Sequence, residues 1–280
     1  MKFATLFCAL LASVAPLPAF ASCATYGAQV TQTTGASYNP AELTDLFVNI
    51  SLNAPSNPAS DCASTPVVIA SRGGVISLSN GASALNFLLV SSSATDGVTS
   101  STFNLSSGGE SDLVRTGNLS LPFLKLLPGQ FVQPGEYTAD LQLQVGDGAP
   151  VLFAIAVRVE PAMRFISGSG GTTSLSLGEV TAGAQITDQF FYRTNSALSV
   201  SVLSENHGVL VHSLGKGFGE IPYAAFLSGK PLTLSAPSVV TLDLRNGPLQ
   251  SEEMRVAVEP QPARYAGIYR DTLTLEFTPF

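Results

Sequence analysis

The chain has 280 residues, with 13 Lys and Arg against 20 Asp and Glu, a formal net charge of −7, and only 12% charged residues. An acidic chain without basic clusters is a poor ligand for nucleic acid or anionic membrane. Sparse charge with abundant Gly, Ser, Thr and Ala points away from a charged cytosolic enzyme, toward an extracellular β-protein with short turns.

In chain order, Lys2 and the apolar run Phe3 to Val14 come first, followed by Pro16, Pro18 and the small-x-small triplet Ala19-Phe20-Ala21. This pattern predicts a secretory signal peptide over residues 1–21, too short for a membrane span. Cys8 leaves with it, and Cys23 and Cys62 remain. Two cysteines in an exported chain most simply form one disulfide. Closing a loop of about 40 residues would constrain the unfolded chain by roughly 4 kcal/mol. A second reading stays open: Phe20-Ala21-Ser22-Cys23 is also lipobox-like, with Phe in the usual Leu position, and would lipidate Cys23 instead.

From there strand patterns dominate: Leu46 to Leu52, Pro66 to Ala70, Leu85 to Val90, Leu119 to Leu127, Leu141 to Val145 and Val151 to Val159. They continue at Ser199 to Leu203, Val239 to Leu244, Met254 to Val258 and Leu273 to Phe277, separated by Gly, Pro, Asn and Ser clusters. No long amphipathic helix interrupts them, so the expected class is all-β and sandwich-like.

The sequence also repeats. PGEYTADLQLQV (134–145) lies over AGIYRDTLTLEF (266–277) without a gap, matching Gly135 to Gly267, Tyr137 to Tyr269, and Leu141 and Leu143 to Leu273 and Leu275. LNFLLVSS (85–92) is the expected counterpart of PYAAFLSG (222–229). Two tandem domains follow, 22–160 and 161–280. After its Tyr137 strand the first copy turns through 146–150 and adds VLFAIAVRV, with Val151, Phe153, Ile155, Val157 and Val159 on one face. The second copy stops at that point. The expectation is a first sheet completed in cis and a second one lacking its last strand, with Tyr269, Leu273, Leu275 and Phe277 on an edge that another protein must cover.

Catalytic chemistry finds little support. His207 and His212, the only histidines, would face opposite ways on an extended segment and are expected as solvent-facing turn residues rather than a metal pair. GSGGTT (168–173) lacks the Lys and helix of a phosphate loop. Glu252-Glu253 reads as a solvated turn. The chain is therefore expected to be no enzyme, with no cofactor and no metal; a secreted carbohydrate-active enzyme is the disfavoured alternative.

PGQFVQPGEYTADLQLQV (128–145) resembles the closing motif of spore coat protein U domains, a Gly-Gln turn leading to Pro-Gly-x-Tyr and the last strand. ARYAGIYRDTLTLEFTPF (263–280) is a second example, with Tyr269 and Asp271 in the family's Gly-x-Tyr-x-Asp; SLSLGEV (174–180) resembles the apolar-Gly pattern that opens such domains and IPYAAFLSGKPL (221–232) their central Pro-Tyr strand. The family includes subunits of archaic chaperone–usher pili, whose shaft subunits lend an N-terminal donor segment to a neighbour's groove. Only Ser22 would precede Cys23 here, so the resemblance implies a two-domain tip adhesin that accepts a strand and lends none. Both domains would be immunoglobulin-like pilin-type sandwiches, an adhesin domain followed by a pilin domain. The implied partners are a periplasmic pilus chaperone, an outer-membrane usher and an adjacent pilin subunit. The implied location is the cell surface at the pilus tip, reached through the periplasm, with roles in surface attachment and biofilm formation. The alternative within the family is a secreted coat or matrix protein without a specific ligand.

For a tip adhesin the binding end would lie away from the second domain. The hairpin turn 146–150 and the loop 92–118 are expected there, and Val98, Phe103, Leu105, Leu113 and Val114 are candidate contacts with a host or abiotic surface. The other reading of these residues is as loop anchors packing down onto the sandwich.

Overall fold

A computed structural model describes residues 29–32, 36–53, 66–71, 78–81, 83–90, 102–105, 113, 116–146, 148–166, 172–245, 247–261 and 265–280. The signal segment 1–21, Cys23, Cys62, Val98 and Val114 lie outside them, as does most of GSGGTT.

In the N-terminal half the strands are β1 (Gln29–Gln32), β2 (Ala36–Tyr38), β3 (Leu46–Asn53), β4 (Val67–Ser71), β5 (Leu78–Asn80), β6 (Ser83–Leu85), β7 (Phe87–Leu89), β8 (Thr102–Asn104), β9 (Asn118–Leu126), β10 (Gly135–Val145) and β11 (Val151–Val159). Alternation along them, such as buried Val48, Ile50 and Leu52 on β3, puts one face of each inward. One sheet runs β1-β3-β9-β7 and the other β2-β11-β10-β4-β8, with β5 and β6 attached beside β10. They face each other across a shared core, where Phe103 of β8 meets Phe123 of β9 edge-on at 5.3 Å. The architecture is an all-β sandwich.

The C-terminal half repeats the plan with β12 (Met163–Phe165), β13 (Ala184–Thr194), β14 (Leu198–Ser204), β15 (Val209–His212), β16 (Glu220–Pro222), β17 (Ala224–Leu227), β18 (Lys230–Pro231), β19 (Ser238–Leu242), β20 (Leu249–Val258), β21 (Tyr269–Arg270) and β22 (Leu273–Pro279). Here β12-β13-β20-β17-β18 stands where β1-β3-β9-β7 stands in the first half. Opposite it, β19-β14-β22 takes the place of β8-β4-β10. Register agrees: Leu143 faces Ile69 across β10 and β4, and Leu275 faces Val202 across β22 and β14. Among the described residues, β11 and β2 have no counterparts in the second set of sheets.

The apolar cores differ accordingly. Among the described residues the N-terminal core holds 25 buried members and 6 partly buried ones, whereas the C-terminal core holds 11 of each. Half of the second core's apolar side chains are left partly in water.

Several expectations change in the structure. The run 85–90 is two strands in two sheets, broken at Asn86. Glu252 is not in a solvated turn. It lies inside β20, 3% exposed, accepting hydrogen bonds from Ser228 Oγ and from Tyr192 OH at 3.3 Å, with Arg245 Nη2 at 3.0 Å. Burial and the neighbouring Glu252 carboxylate push the Tyr192 phenol well above its ordinary value. His207 is an exposed turn residue with φ 58°, but His212 is buried at the end of β15.

Candidate functional site

The two Gly-x-Tyr segments form the same local structure. Tyr137 OH donates to the Gln133 carbonyl and Tyr269 OH to the Tyr265 carbonyl, both at 2.8 Å and both four residues back. Such a tyrosine corner introduces the penultimate strand of an immunoglobulin-type sandwich, the one its final strand then pairs with. β10 and β22 are therefore equivalent strands.

β10 is paired on both sides. β11 runs antiparallel to it from Gly135 opposite Val159 to Leu143 opposite Val151, and β4 covers the other edge. β11 in turn pairs in parallel with β2, Val157 opposite Ala36 and Val159 opposite Tyr38. Leu141, Leu143 and Val145 are buried as a result. Of the in-cis row, Ile155, Val157 and Val159 are buried, Phe153 is half-buried and Val151 stands at the exposed start.

β22 is paired on one side only, by β14, among the described residues. Its inward row Leu273, Leu275 and Phe277, equivalent to Leu141, Leu143 and Val145, is half-buried throughout. Residues 174–178 contribute to the same core. They belong to no strand, yet Leu175 and Leu177 pack on the core while their neighbours are exposed, an alternation like that of β2. Leu175, Leu177, Leu273, Leu275 and Phe277 are all partly buried members of that core, and aromatic rings gather around Phe277. Phe277 meets Phe165 at 5.4 Å and 89°, and Phe190 at 5.4 Å and 74°. Edge-to-face pairs of this kind hold their rings in defined positions.

The start of β22 is anchored through Asp271. Its carboxylate accepts from Ser204 Oγ and Tyr223 OH, each at 2.6 Å, and from Asn206 N at 2.9 Å and Asn206 Nδ2 at 3.1 Å. Burial alone would raise this carboxyl; the hydrogen bonds outweigh it and hold Asp271 below the ordinary carboxylate value. Burial and the Asp271 bond push the Tyr223 phenol upward. Four hydrogen bonds thus fix the point where the chain enters β22.

Two halves of the chain meet at Asn195, which is 3% exposed. Its Nδ2 donates to the carbonyls of Val132 at 2.9 Å and Glu160 at 3.0 Å, and its Oδ1 accepts from Ala162 N at 2.8 Å.

The nominated surface loop is corrected by burial. Phe103, Leu105 and Leu113 are 3%, 5% and 1% exposed, all in the N-terminal core. They are anchors that hold their segments onto the sandwich, because large apolar side chains gain by leaving water and Phe103 and Leu105 are flanked by polar residues that do not. Phe165 and Phe190 carry no sequence signal of this packing, and SLSLGEV, expected to open the second domain, belongs to no strand. The SLSL alternation was visible at 174–177, but nothing local assigns it a partner.

No family model matches the chain, and no curated protein matches it. Among solved structures it is similar to the chaperone–tip adhesion subunit pre-assembly complex of archaic chaperone–usher Csu pili from Acinetobacter baumannii, with 15% identity over 91% of this chain and 100% of that one, TM-score 0.48. It is also similar to the adhesive subunit of CFA/I fimbria of enterotoxigenic Escherichia coli, with 11% identity, 90% and 81% coverage and TM-score 0.35. A third is the CupB6 tip adhesin from Pseudomonas aeruginosa, with 10% identity, 89% and 94% coverage and TM-score 0.32.

Proposed function

We propose that the chain is a non-enzymatic tip adhesin subunit of an archaic chaperone–usher pilus, mediating surface attachment and biofilm formation. In this reading residues 22–160 form the adhesin domain and 161–280 the pilin domain, which joins the fibre by donor-strand complementation. The observation that carries it is that β22 is half-buried and paired on one side only among the described residues, whereas its equivalent β10 is completed by β11.

A strand entering beside β22 would do what β11 does for β10. Its backbone would satisfy the unpaired edge, and alternate side chains would cover the half-buried row Leu273, Leu275 and Phe277. Burying five large apolar side chains contributes about 1.5 to 3 kcal/mol each, roughly 7 to 15 kcal/mol as an upper bound. That is the size of a whole domain's stability. A periplasmic chaperone would hold the edge first, and an adjacent pilin subunit would replace it at the outer-membrane usher. The exported chain would end at the cell surface, at the pilus tip.

The test is self-complementation. Residues 22–280 are produced alone and with a copy of VLFAIAVRV joined after Phe280 through a flexible Gly/Ser linker. The added strand is expected to raise the melting temperature and protease resistance of the C-terminal half and to leave the N-terminal half unchanged. Equal resistance of both halves in the unextended chain would falsify the reading.

A further inference from the structure

The pole of the C-terminal half where β15, β16 and β21 meet carries four exposed apolar side chains. Leu214 is 67% exposed, Phe218 43%, Tyr265 68% and Ile268 57%. Two of them touch, the rings of Phe218 and Tyr265 lying 6.1 Å apart, and the other two lie on turns tied together where Ser213 N, next to Leu214, donates to the Ile268 carbonyl at 2.8 Å. Apolar groups gathered like this on a sparsely charged surface mark a contact site more often than chance exposure does.

The patch is built on a buried histidine. His212 stacks on Phe218 at 5.6 Å and meets Tyr269 edge-on at 5.0 Å. Leu214 N donates to its Nδ1 at 3.1 Å, which leaves the ring proton on Nε2, 3.3 Å from the Ala266 carbonyl it can donate to. Gly267 lies so close over the imidazole that a Cβ there would collide with Nε2. The 265–268 turn is thus clamped onto the 212–218 turn, and the exposed side chains sit on a fixed base.

The position of the patch follows from the first half. β11 runs down β10 and ends with Val159 opposite Gly135. Gly135 and Tyr137 correspond to Gly267 and Tyr269. A strand taken up in the direction of β11 would pass Leu275 and Leu273, then Tyr269, and emerge beside Gly267. The strand would end there, and the body that follows it would face the turn carrying Tyr265 and Ile268.

We propose that the Leu214, Phe218, Tyr265 and Ile268 patch seats the globular body of the subunit whose strand fills the groove, through apolar surface at the root of its donor segment. This rests on the strand-acceptor reading and adds a second contact to it. The strand ties the two subunits together; the patch fixes the angle between them. Once the strand is in place the second contact forms at high effective concentration, so a small area suffices.

The test compares two probes on the full chain from Ser22: a synthetic peptide of the donor segment, and the intact shaft subunit of the same fibre carrying that segment. The variants are L214S/I268S and Y265S, whose altered side chains make none of the clamp's hydrogen bonds. Peptide binding is expected to stay within about twofold, while the intact subunit dissociates about tenfold faster or more. Equal dissociation of the intact subunit from variant and unmodified chains overturns the patch and leaves the groove standing. Equal weakening of both probes also overturns it, since the substitutions would then act on the groove. Concentration-dependent dimers of the unmodified chain that vanish in L214S/I268S would assign the patch to a second copy instead. If the unmodified chain takes up neither probe, the acceptor reading falls and the patch with it.

Discussion

The side-chain amide of Gln130 brackets the backbone of Asn86: its Oε1 accepts from Asn86 N and its Nε2 donates to the Asn86 carbonyl, each at 2.8 Å. Asn86 is where the chain leaves one sheet through β6 and enters the other through β7. Gln130 supplies both halves of a strand-like pairing at a point where no strand can. It is itself held by Tyr38, whose OH accepts from Gln130 N at 3.0 Å and donates to the Leu127 carbonyl at 2.7 Å. The Gly-Gln turn of the closing motif is a tie between the sheets.

Gln130→Ala is expected to cost the N-terminal half about 1 kcal/mol, since water can reach the groups it strands. Gln130→Glu should cost more, because a carboxylate turned toward the Asn86 and Leu127 carbonyls cannot donate. Urea unfolding of both variants checks the order, and an unchanged C-terminal transition checks that the effect is local.

The tie also explains what the sequence could and could not reveal. β11 was legible to the residue because VLFAIAVRV is bounded by a turn and a proline. LNFLLV gave one apolar run where the structure has two strands, since the sheet change turns on a side chain more than 40 residues away. β13, 11 residues long, went unread: Asp188 sits on its inward row between Ile186 and Phe190, and Phe191 faces out, so the alternation is blurred. The open edge of β22 was legible only by comparing the two copies. The aromatic surroundings of Phe277 were not, because Phe165 and Phe190 come from distant segments that only the fold brings together.

Asp271→Asn should loosen the start of β22 by about 1.5 to 3 kcal/mol, the usual worth of hydrogen bonds to a charged group. The same carboxylate sets a pH dependence. Its folded-state value is depressed, so its contribution is fully present above the ordinary carboxylate value and is lost as pH falls from there through the lower folded value. Acid unfolding of the C-terminal half should therefore be less steep in Asp271→Asn than in the unmodified chain.

Phe103→Ala and Leu113→Ala are expected to destabilise the N-terminal half by about 3 to 5 and 2 to 5 kcal/mol respectively, as large-to-small changes in a filled core. Phe103 also loses its edge-on contact with Phe123. Thermal unfolding reads the loss directly. Any attachment defect in these variants should scale with the unfolded fraction and disappear at temperatures where the variant is fully folded.

Asn195→Ala leaves the Ala162 N–H and the Val132 and Glu160 carbonyls without their partner at a buried junction, a cost of about 1 to 3 kcal/mol for each group that water does not reach. Limited proteolysis should show new cleavage near 160–162, and small-angle scattering a broader spread of distances between the halves. The melting of each half should change little.

The junction also governs how the molecule bears load. Tension passed between the halves through Glu160-Pro161 enters the sheet at Val159, the very end of β11. Hydrogen bonds of an antiparallel pair stand perpendicular to the strands. A pull along β11 therefore shears its pairing with β10, from Gly135 to Leu143, all together, with β2 resisting on the other side, rather than peeling the bonds one after another. The strand that completes the first sandwich is thereby also its mechanical anchor.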